Sequence, residues 1–302
     1  MKNLTLRQLR YFEALTRQRH FGRAAEISNV SQPALSAQIR ELEAGLGAAL
    51  FERGPRQVGL TAAGEALAGR VRAILQAVDE LPDAVRAAGA GPVERLRLGV
   101  IPTVAPYLLP QVIAALARAH PGLDLLLRET RTAELIDALT TGQLDAAIMA
   151  LPAGDASLTE APLLTEDFVL VRPAGDADRP VPGPDGLQKM RLLLLEEGHC
   201  FRDQALAFCG MAGARPREMM DGSSLATLVQ MVGADIGVTL IPEMALSVET
   251  RAANVAVARF PNPAPQRRIG MVWRRANPLE RQLREIAAVL ESGLGTAGSA
   301  AG

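Results

Sequence analysis

Two cysteines stand out because their neighbours could make one of them reactive. Cys200 and Cys209 are the only cysteines among the 302 residues. The pattern before Cys200 predicts a strand, a sharp turn permitted by Gly198, and a helix that opens at His199. The positive end of that helix, with possible positive charge on His199 and Arg202, would favour the thiolate of Cys200. A thiolate can attack peroxide to give a sulfenic acid, which a second thiol can convert to a disulfide.

The spacing of the two cysteines is unfavourable for a disulfide within an intact helix. Positions 200 and 209 of one α-helix lie on opposite sides and about 13 Å apart along the axis, whereas a disulfide needs Cα atoms roughly 4.4–6.8 Å apart. If residues 205–209 are helical, oxidation must unwind that helix and would act as a conformational switch. From the residues alone two alternatives stay open: Cys200 is a buried core thiol, or Cys209 fills a core beside Phe208 and Met211.

Other chemistry for the cysteines is disfavoured. Two cysteines are too few for a disulfide scaffold, their spacing is unusual for zinc, and His199 has no partner histidine nearby. We therefore expect neither a metal nor a cofactor. No apolar run approaches the roughly 20 residues that cross a bilayer, and the first ten residues lack the apolar stretch of a signal peptide. We expect a cytoplasmic protein with no membrane partner.

The first 60 residues predict three helices and a hairpin, at about 6–17, 20–27, 31–44 and 51–61. This part carries nine Lys and Arg against five Asp and Glu, although the whole chain has a net charge of −1. A basic end on an otherwise acidic chain suits one phosphate-binding face. Apolar Leu35, Ile39 and Leu42 are expected on the inner face of the third helix.

Residues 20–43 have the pattern of a helix-turn-helix. A short helix braces a second helix whose first residues are small and polar, as entry into the major groove of DNA requires. A plain helical bundle with solvated polar faces is the alternative. The candidates for base edges are Ser31, Gln32, Ser36 and Gln38, and those for phosphates or a groove edge are Arg40, Arg53 and Arg56.

Beyond residue 60 the pattern changes twice. Residues 61–88 predict a long Ala-rich helix, which Pro82 should bend and whose apolar stripe a second subunit could bury. From residue 93 onward strands alternate with helices, which favours parallel sheets with crossover helices. The small residues at 292–302 predict a disordered tail.

Residues 4–66, which include LRQLRYFEALTRQRHFGRAAEISNVSQPALSAQIRELEAGLGAALFER and LTAAGE, resemble the winged helix-turn-helix of LysR-type regulators. The resemblance implies that Ser31, Gln32, Pro33 and Ser36 lie at the groove, with Arg53 on the wing. Ala37 stands where many members have arginine. The family also implies pairing through the linker helix, tetramers built as pairs of dimers, and a two-subdomain regulatory domain like a periplasmic binding protein. We therefore expect an α/β chain divided into DNA-binding 1–60, linker 61–91, and regulatory 92–291, with subdomain I at 92–164 and 267–291 and subdomain II at 165–266.

Three further segments, GVIPTVAPYLLP, GHCFRDQALAFC and RRIGMVWRR, resemble the peroxide-sensing OxyR branch of this family. The likeness runs to about residue 290. It implies that Cys200 reacts with hydrogen peroxide and that Cys209 resolves the product. The pocket arginine is Arg267 or, one residue out of register, Arg268, and we favour Arg267. The match assigns to the pocket or its support Thr103, Thr132, His199, Asp203 and Arg267.

The leading hypothesis is a regulator, not an enzyme, that senses peroxide, refolds, and rearranges a tetramer on promoter DNA to control oxidative-stress genes, with RNA polymerase as a further partner. One alternative is a LysR-type regulator that binds a small organic effector between its subdomains, with incidental cysteines. The other is a thiol peroxidase that turns over many peroxide molecules.

Overall fold

The computed structural model describes residues 4–53, 58–79, 81–88, 93–210 and 220–298. The chain divides into two compact units, Met1–Ala88 and Gly89–Gly302. Among the described residues, no helix is both long enough and apolar enough to span a membrane.

The first unit is helical apart from one hairpin. Its elements are α1 (Leu6–Gln18), α2 (Phe21–Ile27), α3 (Gln32–Leu46), β1 (Phe51–Arg53), β2 (Val58–Leu60), α4 (Ala62–Asp79) and α5 (Leu81–Ala88). A capping box of Thr5 and Gln8 begins α1, and His20 begins α2 by accepting two backbone N–H bonds through Nδ1. The helix predicted over 61–88 is present as α4 and α5, on either side of residue 80, which lies outside the described residues.

The core of the first unit is apolar and contains several completely buried side chains. Leu35, Ile39 and Leu42 of α3 are completely buried, as the helical spacing predicted, and pack with Phe12 and Leu15 of α1. Burial of one stripe per helix leaves the opposite faces to solvent. The beginning of α3 is therefore presented outward by a well-packed support.

The second unit is built on a mixed sheet. Its strands are β3 (Arg95–Val100), β4 (Asp124–Glu129), β5 (Ala146–Leu151), β6 (Leu158–Pro173), β7 (Leu192–Leu195), β8 (Met220–Gly222), β9 (Val238–Pro242), β10 (Val255–Arg259) and β11 (Gln266–Arg274). Its helices are α6 (Ala105–Ala119), α7 (Thr132–Thr140), α8 (Pro184–Leu187), α9 (Cys200–Phe208), α10 (Leu225–Gly233), α11 (Leu246–Glu249) and α12 (Glu280–Gly298). The strand order is β4-β3-β5-β11-β6-β9-β7-β8, and β10 pairs with β6.

The expectation of parallel sheets is correct at the two ends of this order and wrong in the middle. Strands β3, β4 and β5 are parallel, and so are β7, β8 and β9. The long strands β6 and β11 run antiparallel to each other and join the two parallel groups. The alternation of strands and helices does not reveal such joining strands, because their pairing is between distant parts of the chain. The second unit therefore consists of two α/β subdomains.

The prediction of a disordered tail at 292–302 is wrong for residues 292–298. Helix α12 continues to Gly298. Leu294 is 6% exposed and extends the buried stripe of Leu283, Ile286 and Leu290. The apolar spacing of the helix therefore outweighs the small residues in its last turns. Residues 299–302 lie outside the described part of the chain.

Candidate functional site

Helix α9 follows strand β7 in the sequence after a single turn. All four residues of β7 are buried, and the following turn contains Gly198 with φ +94°, a left-handed conformation that favours glycine. Arg202 is buried and donates from Nη1 to the Leu195 carbonyl at 2.6 Å. This bond holds the beginning of α9 against the end of β7.

The two cysteines lie at opposite ends of α9 as free thiols. Cys200 is the first residue of the helix and is half-buried, whereas Cys209 follows its last residue and is fully buried. Burial raises the pKa of the Cys209 thiol to about 11. The helix between them is intact, as predicted. That a disulfide requires α9 to unwind stays a prediction from helix geometry.

The late-strand arginine in the core is Arg267. Its side chain donates from Nη1 to Thr103 Oγ1 and from Nη2 to the Thr103 carbonyl, both at 2.9 Å. The guanidinium carbon lies 5.2 Å from the ring centroid of Phe201, the residue next to Cys200. Arg268 is exposed. Arg267 therefore connects the loop before α6 to the beginning of α9.

A carboxylate that the sequence analysis missed balances this arginine. Glu166 is paired with Arg267 across β6 and β11 and accepts from its Nε at 2.7 Å. Its second oxygen accepts from the Met244 backbone at 3.1 Å. Burial raises the pKa of Glu166, and the nearby Arg267 charge opposes that shift. Because a buried guanidinium needs a partner, Glu166 makes the buried position of Arg267 possible.

A cavity of about 730 Å³ opens beside this cluster, and its lining includes Thr103, Tyr107, Arg131, His199 and Glu249. Tyr107 donates to Glu249 at 2.6 Å, and its pKa is raised by burial and by Glu249. His199 is buried, and burial together with the Arg131 charge lowers its pKa. The neutral imidazole is therefore favoured in the folded protein.

The Arg131 side chain reaches the turn that leads into α9. Its Nη2 donates to Glu196 Oε2 at 3.1 Å, and its Nη1 donates to the Glu197 carbonyl at 3.2 Å. A Cβ at Gly198 would lie 3.2 Å from Arg131 Cδ. Glycine at this position therefore allows the arginine to pack against the turn.

Two buried polar atoms beside these elements have no hydrogen-bond partner within the described residues. They are Thr132 Oγ1, at the start of α7, and Gln204 Oε1, in α9. Each could bond to a small polar ligand. Asp203 is exposed on α9. Of the residues assigned to the pocket, Thr103 and Arg267 are in direct contact, Thr103 and His199 line one cavity, and Asp203 faces solvent.

No group of three or more His, Cys, Asp or Glu in the described ranges is placed to hold a metal ion. The groups that the structure brings together here are the Cys200 thiol, the Thr103 hydroxyl, the His199 imidazole and the Arg267 guanidinium. Such groups can bind a small polar oxidant and stabilise negative charge on its leaving oxygen.

The candidate DNA contacts that the structure describes lie in α3 and at its N-cap. Ser31 accepts from the Ala34 backbone at 3.4 Å as the N-cap. Gln32 and Pro33 are exposed, and Ser36 is half-buried. The remaining described candidates bond within α3: Gln38 donates to Glu41 at 2.8 Å, and Arg40 donates to the Ser36 carbonyl at 3.3 Å. The Arg53 side chain and all of Arg56 lie outside the described part.

Comparison with known proteins agrees with this architecture. Residues 6–65 match the family described as "Bacterial regulatory helix-turn-helix protein, lysR family". Residues 89–295 match the "LysR substrate binding domain". The chain therefore belongs to the LysR family of transcriptional regulators.

Its similarity within the family is to OxyR proteins. A "Probable hydrogen peroxide-inducible genes activator" of Streptomyces viridosporus is 43% identical over 297 residues, which cover 96% of this chain and 94% of that protein. The "DNA-binding transcriptional dual regulator OxyR" of Escherichia coli K12 is 39% identical over 295 residues, covering 96% and 95%. The chain falls in the OxyR branch of the family.

Solved structures show the same relationship. A full-length OxyR variant from Pseudomonas aeruginosa superposes with a TM-score of 0.72 and 35% identity, covering 96% of this chain and 98% of that one. A cysteine-to-serine mutant of Corynebacterium glutamicum OxyR, in its hydrogen-peroxide-bound form, gives a TM-score of 0.66 and 33% identity, covering 98% and 95%.

Proposed function

We propose that this protein is a DNA-binding transcription regulator that senses hydrogen peroxide by oxidation of Cys200 and disulfide formation with Cys209. The observation that carries the proposal is the contact of buried Arg267 with both Thr103 and the Phe201 ring, beside a cysteine separated from its partner thiol by an intact helix. The names of two relatives, "Probable hydrogen peroxide-inducible genes activator" and "DNA-binding transcriptional dual regulator OxyR", support it.

In the first step, the Cys200 thiolate attacks one oxygen of hydrogen peroxide. The O–O bond breaks, the sulfur takes up one hydroxyl and is oxidised to sulfenic acid, and the second oxygen leaves as hydroxide, which a proton converts to water. Thr103 Oγ1 accepts from Arg267, so its own O–H is free to donate to the leaving oxygen. Within the described residues, three of the five Arg267 N–H groups are bonded to Glu166 and Thr103, and the other two can stabilise the developing charge.

In the second step, α9 unwinds and the Cys209 thiol attacks the sulfenic sulfur of Cys200. The S–S bond forms, the S–O bond breaks, and the hydroxyl leaves as water. Peroxide is thereby reduced to two water molecules, and both electrons come from the two thiols. Because Cys209 belongs to the core of its subdomain, its departure repacks that core and couples oxidation to shape.

On this proposal, residues 1–60 bind promoter DNA, residues 61–91 pair the subunits, and residues 92–291 sense peroxide. The protein acts in the cytoplasm as a homotetramer, a pair of dimers, and contacts RNA polymerase. Thr132 and His199 support the peroxide pocket. The DNA contacts are Ser31, Gln32, Pro33, Ser36, Gln38, Arg40, Arg53 and Arg56.

The test is mass spectrometry of the full-length protein after one equivalent of hydrogen peroxide, with DNA binding measured on the same samples. We expect a Cys200–Cys209 disulfide and altered DNA binding, and neither in Cys200→Ser. An unchanged protein would favour a regulator that responds to an organic effector. Turnover of many peroxide equivalents per chain would favour a thiol peroxidase.

The DNA-binding part of the proposal has its own measurement. Phosphate contacts release counterions, so the logarithm of DNA affinity should fall linearly as the logarithm of salt concentration rises. An affinity that does not depend on salt would contradict the assignment of the basic residues to the DNA backbone.

A further inference from the structure

The end of α9 is held by a side chain from outside that helix. Gln188 follows α8 directly, and its Nε2 donates to the backbone carbonyl of Cys209 at 2.7 Å. The last carbonyls of an α-helix have no partner within the helix. Here the external partner bonds to the residue that carries the second thiol. The bond therefore fixes the backbone of Cys209.

Gly210, the residue after Cys209, leaves room for the Gln188 side chain. Gly210 has φ +67°, and a Cβ at that position would lie 3.1 Å from Gln188 Nε2. Its backbone N–H closes the helix by donating to the Ala207 carbonyl at 3.1 Å. A glycine in the left-handed conformation thus reverses the chain and leaves room for the Gln188 amide.

The two ends of α9 are held in different ways. The Cys200 end is held by buried Arg202 on Leu195 and by Phe201, which packs against Phe168 with ring centroids 4.9 Å apart. The Cys209 end combines core packing with the bond to Gln188. When Cys209 moves toward Cys200 in the second step of the proposed reaction, the Gln188 bond to the Cys209 carbonyl must break.

We propose that Gln188 is a positioning residue for the resolving cysteine. By holding the Cys209 carbonyl it stabilises the reduced form, slows the attack of the Cys209 thiol on the Cys200 sulfenic acid, and makes the disulfide easier to reduce. It touches none of the reacting atoms and acts only through the backbone of Cys209. The inference rests on the proposed function, because it concerns the second step of that reaction.

The experiment compares full-length Gln188→Met, which keeps side-chain length but loses the donor, with wild type. Lys189→Met, at the exposed neighbouring residue, is the matched control. One neutral hydrogen bond corresponds to about two- to tenfold in an equilibrium. We expect Gln188→Met to form the disulfide about two- to tenfold faster. Its reduction potential in a dithiothreitol buffer should be more negative, by up to about 30 mV for tenfold.

The rate of Cys200 oxidation by peroxide, the first step, distinguishes a positioning role of Gln188 from a general loss of structure. The double variant Cys209→Ser, Gln188→Met should consume one equivalent of peroxide at the same rate as the Cys209→Ser single variant. The inference is overturned if the first step changes by the same factor as the second, if Lys189→Met has the same effect, or if rate and potential both stay at wild-type values. Absence of the disulfide in the unsubstituted protein would instead overturn the proposed function itself, and the role of Gln188 with it.

Discussion

The helix proposed to read DNA and the helix proposed to sense peroxide are built differently. Helix α3 has 15 residues, is capped by its own Ser31, and ends at Gly47 with φ +73°. Helix α9 has 9 residues, its N-cap His199 makes no side-chain capping bond, and Gln188 from outside the helix supports its last turn.

The two helices obtain their stability from different sources. A nine-residue helix is marginal by itself in water, so α9 depends on contacts with the rest of its subdomain. Several of those contacts meet at Arg267 and Phe201. A helix that depends on a few tertiary contacts can be lost when one of them changes, whereas a capped helix on a closed core persists.

The largest expected effect comes from a substitution that removes the ion pair of Arg267 with Glu166. Arg267→Met leaves Glu166 buried without its ion-pair partner, which costs about 3–5 kcal/mol. The measurement is urea unfolding followed by the fluorescence of Trp273, the single tryptophan, which is completely buried. Arg268→Met, at an exposed position, should stay within about 0.5 kcal/mol of wild type. Equal losses in the two variants would contradict the assignment of Arg267.

The next prediction compares two threonines by the rate of Cys200 oxidation and by the free energy of unfolding. Thr103→Val removes a hydroxyl that accepts from Arg267 and should slow Cys200 oxidation about 10²-fold, with a loss of about 1–3 kcal/mol in unfolding free energy. Thr132→Val removes a buried hydroxyl that has no partner within the described residues. It should slow oxidation without loss of stability. Stopped-flow oxidation and urea unfolding test both; an unchanged rate in Thr132→Val would remove Thr132 from the pocket.

A smaller effect tests the independence of α3. Ser31→Ala removes its N-cap and should cost about 0.5–2 kcal/mol, measured as faster hydrogen exchange of the α3 amides. Ser36→Ala, within the same helix, is the control and should leave that exchange unchanged. The exchange of α9 should be unaffected by either substitution. A change in α9 would show that the two helices are energetically coupled.

The smallest effect concerns pH at the N-cap of α9. Because the pKa of His199 is lowered in the folded protein, its contribution to stability is present above the unfolded pKa of about 6.5 and is lost as pH falls below it. Wild type should therefore lose more unfolding free energy than His199→Gln between pH 7.5 and 5.5. Parallel losses in the two proteins, followed by Trp273 fluorescence, would contradict this assignment.

Local patterns were enough to predict the helices of the first unit and the helix between the cysteines. Apolar spacing depends only on residues within a few positions of one another, as do the Ser31 cap and the left-handed Gly47 that the structure shows at the two ends of α3. The requirement that α9 unwind also follows from spacing alone. The sequence by itself therefore determined the helices of the first unit, the family resemblance and the conflict between an intact helix and a disulfide.

Only the tertiary structure decided which side chains meet. The choice of Arg267 over Arg268 depends on strand register, since adjacent residues of a strand face opposite sides. The partnership of Glu166 with Arg267, the exposure of Asp203 and the Gln188 bond join or separate residues distant in sequence. Each depends on how β6, β11, α8 and α9 pack, and local residue spacing carries no information about that packing.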